Sequence, residues 1–270
     1  MPEVRPPAVA GLFYPEAPAA LTGSIRAWLE AAAAPAAGAV RPKALIVPHA
    51  GYVYSGAIAA SAYARLAAAA AAIRRVVLFG PTHRVAIRGL ALPSARVFAT
   101  PLGTVEVDLG AAASALMLGQ VCTSDAAHAL EHSLEVQLPF LQTVLRKFTI
   151  VPFAVGDATT AEVAEVAELL WGGPETLIVI SSDLSHYHHY SEAREIDRTT
   201  ADAVLALSAT LDHEQACGAT PINGLLVAAA RRGLRPRLLD LRNSGDTAGD
   251  KARVVGYASF AFDEVPHDPL

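Results

Sequence analysis

The chain has 270 residues and a formal net charge of −5, with 53% hydrophobic and 17% charged residues. This composition describes a globular chain with a large core. It contains no basic cluster of the kind that contacts nucleic acid, which argues against a nucleic-acid-binding protein. No apolar run is long enough for a membrane-spanning helix.

The cysteines and the N-terminal residues bear on the cellular compartment. The two cysteines, Cys122 and Cys217, do not suggest a disulfide framework. The first fifteen residues lack the charged-then-apolar pattern of a signal peptide. We therefore expect a cytoplasmic protein.

The first quarter of the chain predicts one helix and one strand. Residues 1–15 are rich in proline, and we expect them to lie extended on the body of the protein. A helix is predicted over Ala19–Ala34 and a loop over Pro35–Pro42. Lys43–Pro48 has the apolar composition of a short buried strand, and His49 follows it directly.

A second unit of strand and helix repeats this arrangement. We expect a helix from Ser55 through Leu66, and then a strand over Arg75–Gly80, which is followed by His83. Taken singly, His49 or His83 is better explained as a structural histidine. Two histidines at equivalent strand ends instead favour a metal or catalytic site, because strand ends hold imidazoles rigidly.

The middle of the chain carries a motif with two interpretations. Residues 88–108 predict an antiparallel hairpin or meander, and Leu109–Leu118 a short helix. His128, Glu131 and His132 then spell the H-x-x-E-H pattern of inverted zinc proteases. That pattern works on a continuous helix, whereas the following sequence indicates that a helix begins only at Ser133. We therefore expect a loop that places His132 at the cleft and His128 on the surface.

The stretch after residue 146 contains the strongest candidate site. A strand is predicted over Lys147–Val155 and a helix over Thr160–Trp171. The apolar, β-branched run of residues 177–180 predicts a strand buried on both faces, and Asp183 and His186 follow it. Side chains just beyond the carboxyl end of a central strand face the ligand-binding crevice of an open α/β sheet. The alternative is that Asp183 caps a helix and His186 merely packs.

The last third completes an alternating pattern. We expect His188 and His189 to lie in a loop or at the surface, and we predict helices over Ser191–Leu207 and Thr220–Arg232. The last strands are predicted over Arg237–Ser244 and Arg253–Phe262. Repeated β-then-α alternation without a long linker predicts one domain over residues 1–270. Its expected fold class is α/β, a three-layer α/β/α domain with a mostly parallel central sheet.

Six motifs, in order and across nearly the whole chain, carry a family resemblance. They are VAGLFYP, PHAGYVYSG, GPTHR, EHSLEVQLPFL, SSDLSHY and CGATPINGLL. Together they resemble the Memo family, whose bacterial and archaeal members are called component B of the AmmeMemoRadiSam system. The family is similar in fold to the class III extradiol dioxygenases, whose catalytic subunit uses non-haem Fe(II).

The resemblance implies roles for individual residues. The metal-binding positions of the family match His49, His83 and Cys217. Its nearby cleft residues match Asp183 and His186, and His132 occupies the position of a further active-site histidine of the dioxygenases. The prokaryotic system name implies a radical-SAM protein and an AMMECR-type protein as partners.

The chemistry of these three residues bears on which metal the site would accept. Two imidazoles and a carboxylate form the facial triad that binds Fe(II), but here a thiolate would replace the carboxylate, which makes Zn or Cu acceptable as well. A thiolate is also oxidisable, and without the family resemblance Cys217 would be taken for a buried structural thiol. Two functions follow: a metal-dependent, dioxygenase-like oxidoreductase with His186 as general base oriented by Asp183, or a binding module that keeps the cleft without catalysis.

Overall fold

A computed structural model describes residues 3–32 and 41–264 of the chain. In chain order, its strands are β1 (Val4–Arg5), β2 (Pro42–Val47), β3 (Arg75–Pro81), β4 (Leu90–Leu92), β5 (Val97–Thr100), β6 (Gly103–Val107), β7 (Val121–Thr123), β8 (Thr149–Val155), β9 (Thr176–Ser181), β10 (His186–His188), β11 (Arg235–Asn243) and β12 (Val254–Asp263). The helices are α1 (Pro18–Ala31), α2 (Tyr52–Tyr63), α3 (Leu109–Ala115), α4 (Asp125–Ala129), α5 (Leu138–Val144), α6 (Thr160–Leu169), α7 (Tyr190–Leu205) and α8 (Ala219–Arg231). No described helix combines the length and the apolar character needed to cross a membrane.

The twelve described strands form one mixed sheet. Nine of them follow the order β1-β5-β6-β8-β3-β9-β2-β12-β10, while β11 pairs with β12, β4 with β8, and β7 with β4. Its centre is parallel, because the neighbouring pairs β6–β8, β8–β3, β3–β9 and β9–β2 are all parallel. The carboxyl ends of these strands therefore lie at one edge of the sheet. In an open α/β sheet this edge is where ligands bind.

Strand β12 joins the parallel centre to the remaining strands. It runs antiparallel to β2 through residues 260–263 and antiparallel to β11 along nearly its whole length. Its first residues, Val254 and Val255, pair with β10. One strand thus connects the centre of the sheet to the segment that carries His186.

Helices cover both faces of the sheet, as the apolar runs of its central strands require. In β3, Val77 and Phe79 belong to the core cluster that contains residues of α3, α6, α7 and α8. Val76 and Leu78 point to the opposite face and belong to the cluster that contains residues of α1, α2 and α5. The predicted three-layer α/β/α arrangement with a mostly parallel sheet is confirmed.

Most predicted elements occur within a few residues of their expected bounds, with one early start. The helix after β2 begins at Tyr52, three residues before the predicted Ser55, because Tyr54 and Ser55 both donate their backbone N–H to Gly51. The predicted loop over Pro35–Pro42 falls mostly outside the described residues, and Pro42 itself begins β2.

Two local predictions of secondary structure were wrong. Residues 125–129, which include His128, form the short helix α4 and not a loop. His186–His188 form the strand β10 and not a loop or helical turn, because β12 offers them a strand to pair with.

Candidate metal centre

Five of the six predicted site residues line one cleft of about 840 Å³ beyond the carboxyl edge of the sheet. They are His49 after β2, His83 after β3, His132 after α4, and Asp183 and His186 after β9. Cys217, the sixth, lies just before α8 with its Sγ 3.3 Å from Nε2 of His49. Segments far apart in the chain therefore meet at one place, as predicted.

The cleft contains a cluster of three imidazoles, of which His49 is buried, His132 half-buried and His83 exposed. His49, His83 and His132 each offer a ring nitrogen, and these three nitrogens lie within 4.8 Å of one another. The ring centroids of His83 and His132 are 4.6 Å apart, and His49 lies 5.2 Å from His83 and 5.3 Å from His132. Three convergent imidazoles suit Zn, Cu or Fe.

Hydrogen bonds around Ser181 fix the tautomer of His49. The Ser181 hydroxyl donates to the carbonyl oxygen of Ser133 at 2.6 Å and accepts from Nε2 of Gln137 at 2.8 Å. Its oxygen is also 2.9 Å from Nδ1 of His49. Since the hydroxyl proton is already used, Nδ1 of His49 must be the donor, which leaves the lone pair on Nε2. His49 therefore presents an unprotonated nitrogen toward Cys217.

Glu131 fixes the tautomer of His83, as Ser181 fixes that of His49. Its Oε1 lies 2.9 Å from Nδ1 of His83, and Oε2 accepts the His83 backbone N–H at 2.6 Å. A carboxylate accepts and does not donate, so Nδ1 carries the proton and Nε2 of His83 is free to bind a metal. Carboxylate–histidine pairs of this kind orient the ligands of metal sites.

Glu131 is a site residue whose role the sequence did not reveal. It is buried, and Oε1 also accepts the backbone N–H groups of His132 and Ser133, each at 2.9 Å. Burial by itself would raise the pKa of Glu131, but the hydrogen bond and charge of His83 and the N–H groups outweigh it and lower the pKa to about 2. The carboxylate is therefore ionised, and it joins two of the three histidines.

His132 contributes a buried nitrogen that has no partner. Its ring packs on Phe13, with the centroids 4.6 Å apart. Nδ1 lies 3.3 Å from Oε1 of Glu131, but no hydrogen bond to this nitrogen exists in the described parts of the chain. A buried polar atom without a hydrogen-bond partner is costly, so the ring of His132 is not satisfied by the described residues alone.

Two histidines of the cluster, His49 and His132, are held in the neutral form that binds metals. Burial lowers the pKa of His49 well below its usual value, and the neighbouring His132 and His83 add to the effect. Burial also lowers the pKa of His132, which Glu131 partly opposes. Both rings are consequently neutral near pH 7, and neutral imidazole is the ligating form.

Cys217 contacts the cluster from a neighbouring recess that it lines together with His213. Burial, followed by the charge of Asp183, raises the pKa of its thiol to about 12. The thiol lies beside His49 but is not part of the three-nitrogen cluster. Both described cysteines are free thiols.

Two glycines allow these segments to approach so closely. A Cβ on Gly218 would come 2.6 Å from Cβ of Ser182, so a side chain there would push the Cys217 turn away from β9. A Cβ on Gly80 would come 2.6 Å from Oγ of Ser133, where the segment after α4 crosses β3. The cluster therefore depends on close backbone packing at both points.

Asp183 and His186 share the cleft without bonding to each other. Oδ1 of Asp183 accepts the backbone N–H groups of His49 and Ala50, at 2.8 and 3.3 Å. Burial raises the pKa of Asp183, although the His49 N–H and the charge of His186 oppose it. No hydrogen bond joins Asp183 to His186 within the described residues, so Asp183 positions the segment of His49 rather than the His186 ring.

The prediction that His128 is a surface residue was wrong. Only 2% of its surface is exposed, and Nε2 lies 2.9 Å from the carbonyl oxygen of Ala91 in β4. This places His128 in the core and away from the cleft. The zinc-protease geometry fails as expected, because α4 ends at Ala129, before Glu131 and His132.

Comparisons with known proteins identify the family of the chain. The family model described as "Memo-like protein" matches residues 5–261. A MEMO1 family protein of Methanosarcina acetivorans is 39% identical, over 95% of this chain and 98% of its own length. Those of Aquifex aeolicus and Aeropyrum pernix are 37% and 36% identical, over 96% and 94% of this chain and 99% and 98% of their own lengths. The chain belongs to the Memo-like protein family.

Proposed function

We propose that the protein is a metal-dependent, dioxygenase-like oxidoreductase of the cytoplasm, with Fe(II) as the resident metal and Zn or Cu as alternatives. The observation that carries the proposal is the cluster of three imidazole nitrogens that lie within 4.8 Å of one another in the lining of an open cleft. When bound, Fe(II) supplies Lewis acidity and one-electron redox chemistry.

His49 and His83 are the proposed core of the ligand set. Each has its Nδ1 held, by Ser181 or by Glu131, and each has its Nε2 free. The family resemblance assigns the third position to Cys217, and the geometry offers His132 as a second candidate for it. A third imidazole would give a harder and less oxidisable donor set than the thiolate.

His186 is the proposed general base of the cleft. It lines the cleft beside Asp183 and is outside the three-imidazole cluster. A positioned base typically contributes about 10²–10⁴-fold to the rate of a proton transfer. Asp183 acts indirectly, since its carboxylate holds the backbone of His49 and Ala50.

Metal content tests the ligand set. Protein purified without oxygen is analysed for bound metal as wild type, His49→Ala, His132→Asn, Cys217→Ser and Cys122→Ser. We expect stoichiometric metal in the wild type and in Cys122→Ser, whose residue is exposed and outside the cleft. A sharp loss in Cys217→Ser identifies the thiolate as the third ligand, and a loss in His132→Asn identifies the imidazole. A wild type that binds no metal contradicts the proposal.

Turnover tests the chemistry. Metal-loaded protein is assayed for dioxygen consumption with catechols as the first panel, and His186→Gln should keep its metal but lose activity. If metal-loaded wild type consumes no dioxygen with any diol and shows no metal-centred redox activity, the oxidoreductase proposal is wrong.

A second candidate function is a binding module, and exposed apolar residues beside the cleft favour it. Leu12 and Val53 are 81% and 65% exposed, and each adjoins a residue that lines the cleft, Phe13 or Tyr54. Contiguous exposed apolar patches mark protein-interaction sites, and Leu12 and Val53 are the candidates for such a patch here. The proposed partners are a radical-SAM protein and an AMMECR-type protein. Val53→Ser should weaken their binding, while His186→Gln should not.

A further inference from the structure

A second recess lies between α1, α2 and β11, and it shares no residue with the cleft that contains the histidines. Its volume is about 340 Å³, close to the lower limit for sites that bind small molecules. Its lining combines apolar side chains with charged groups, which include Trp28, Ala57, Leu239, Arg65, Asp240 and Arg242. A recess of this composition suits a ligand that has both a charged group and an apolar part.

A bulge in β11 directs two consecutive side chains to this recess. The pairing of β11 with β12 shifts between Leu238 and Asp240, so Leu239 has no paired residue of its own. Side chains of a regular strand alternate between the two faces, yet Leu239 and Asp240 both line the recess. Leu238 and Leu241 pack against the core on the opposite face of the sheet. Bulges re-aim side chains in this way beside functional sites.

Asp240 and Arg242 compensate each other's charge. Nε of Arg242 donates to Oδ1 of Asp240 at 3.0 Å, and a terminal nitrogen of the same guanidinium donates to Oδ2. Oδ2 also accepts the hydroxyl of Ser61 at 3.2 Å. Both oxygens of Asp240 are therefore in use, and the pair adds no net charge to the recess.

Arg65 supplies a positive charge that is not compensated. It follows Ser61 by four residues, in the helical turn directly after α2, so both side chains lie on the same side of the helix. Within the described residues, its guanidinium forms no hydrogen bond or ion pair, unlike that of Arg242. Nε of Arg65 is buried. A buried donor on a charged group is costly without an acceptor, and a bound anion would provide one.

We infer that the recess binds a small carboxylate with an apolar tail, and that Arg65 holds the carboxylate group. One unpaired guanidinium matches one negative charge, and its fork of N–H donors fits the two oxygens of a carboxylate. Trp28, Ala57 and Leu239 provide the apolar surface for the tail, whose burial adds to the affinity. The site goes beyond the proposed function, because it is separate from the histidine cluster and needs no bound metal.

Hexanoate and hexanamide test the inference, because they share the apolar tail and differ in charge. The chain has two tryptophans, Trp28 at the recess and Trp171 in the core on the opposite face of the sheet. Labelling with 5-fluorotryptophan therefore gives one ¹⁹F signal at the site and one away from it, and Trp171→Phe assigns the two signals. We expect hexanoate to shift the Trp28 signal in a saturable way, with an affinity at least about 10-fold higher than that of hexanamide. Equal affinity for the two, or no shift of the Trp28 signal, overturns the inference.

Variants assign the preference to Arg65. Arg65→Gln should remove the difference between hexanoate and hexanamide, while Arg26→Gln should keep it, because Arg26 is exposed on α1 and outside the recess. Since no described residue pairs with Arg65, the glutamine variant should also keep the free energy of unfolding of the ligand-free chain, measured in urea. A retained preference for hexanoate in Arg65→Gln overturns the assignment. A large loss of stability contradicts it as well, because Arg65 would then already have a partner.

Further titrations separate the tail from the charge and the recess from the metal centre. Acetate should bind at least about 10-fold more weakly than hexanoate, because it lacks the buried tail. Leu239→Ser should weaken hexanoate and hexanamide alike. If acetate or inorganic phosphate displaces hexanoate as well as hexanoate itself does, the apolar requirement is wrong. The affinity for hexanoate should be the same in the metal-free and the Fe(II)-loaded chain, and a dependence on metal overturns the separation of the two sites.

Discussion

Glu131 and Glu135 lie four positions apart in the chain, and both carboxylates are buried, but they bind different parts of the protein. Glu131 accepts hydrogen bonds from His83 and from the backbone of the cleft histidines. Glu135 faces the other way and pairs with Arg5 at 2.5 Å. It also accepts from the N–H groups of Ala8 and Val9 and from the hydroxyl of Tyr14.

The difference lies in the donors that surround each acid. Around Glu135 they come from the N-terminal segment, so this carboxylate attaches residues 5–14 to the body of the protein. Around Glu131 they come from groups that face the cleft. The same side chain therefore stabilises the fold at one position and orients candidate metal ligands at the other, and substitutions should separate these roles.

Glu135→Gln should give the largest loss of stability. It leaves Arg5 buried without its counter-charge, and breaking a buried ion pair costs about 3–5 kcal/mol. Urea unfolding of the metal-free chain measures the loss. The matched control is Glu168→Gln, whose pair with Arg231 is much more exposed and should contribute at most about 1 kcal/mol. If folded Glu135→Gln protein binds metal far more weakly than the wild type, the proposed division of roles fails.

Asp197 is a third buried acid, and it sharpens the comparison because no cation pairs with it among the described residues. It is 2% exposed, and its carboxylate accepts the N–H of Ser185 at 3.1 Å. Burial raises its pKa from 3.8 to about 6, against the opposing effect of that N–H. Between about pH 4 and pH 6 the folded state therefore holds a proton that the unfolded state has lost.

Asp197 should consequently destabilise the wild type as the pH rises through that window. An asparagine side chain does not titrate, so Asp197→Asn should gain up to about 3 kcal/mol relative to the wild type between pH 4 and pH 7. Urea unfolding of both proteins across this range measures the difference. A difference that is independent of pH would show that Asp197 is ionised in the folded state at the pKa of an exposed aspartate.

Glu131→Gln should act on metal binding more than on folding. The amide can still contact Nδ1 of His83, but it removes the negative charge and one acceptor oxygen from a group that serves four donors. Loss of such a supporting carboxylate typically lowers metal affinity about 10–100-fold. Competition with a chelator measures it, with Glu135→Gln as the control. Unchanged metal affinity would reduce Glu131 to a structural residue.

Tyr14→Phe should give the smallest effect. Burial, then the charge of Glu135, raises the pKa of Tyr14, so the phenol remains a donor at all ordinary pH values. Removing one hydrogen bond to a charged acceptor should cost about 1.5 kcal/mol, while Arg5 still neutralises Glu135. The measurement is urea unfolding, and metal affinity should not change. A loss as large as that of Glu135→Gln would mean that the hydroxyl, and not Arg5, holds the N-terminal segment.

The sequence predicted the parts of the site that depend on local pattern. His49, His83 and Asp183 each follow an apolar run that ends abruptly, and the parallel sheet brings such ends together. The role of Glu131 was missed because its two histidine partners come from separate segments, and only the H-x-x-E-H pattern pointed to this residue.

Two other predictions, the surface position of His128 and the loop at residues 186–188, were wrong because they depended on tertiary contacts. His128 is buried because its ring reaches the carbonyl of Ala91 on β4, a strand that pairs with β7 and β8. The polar segment of β10 carries no alternation of apolar and polar residues, and it is extended only because β12 pairs with it. Neither partner can be identified from the neighbouring sequence.

The position of β12 affects how the protein is made. This strand follows every other described element in the chain, so the ribosome delivers it last of them, yet it lies between β2 and β10. Until it emerges, the nascent chain exposes one edge of β2, and the β10 segment that carries His186 has no strand to pair with. An open edge of this kind invites pairing with other chains, so synthesis that stalls before Val254 should yield a product that aggregates or is captured by chaperones.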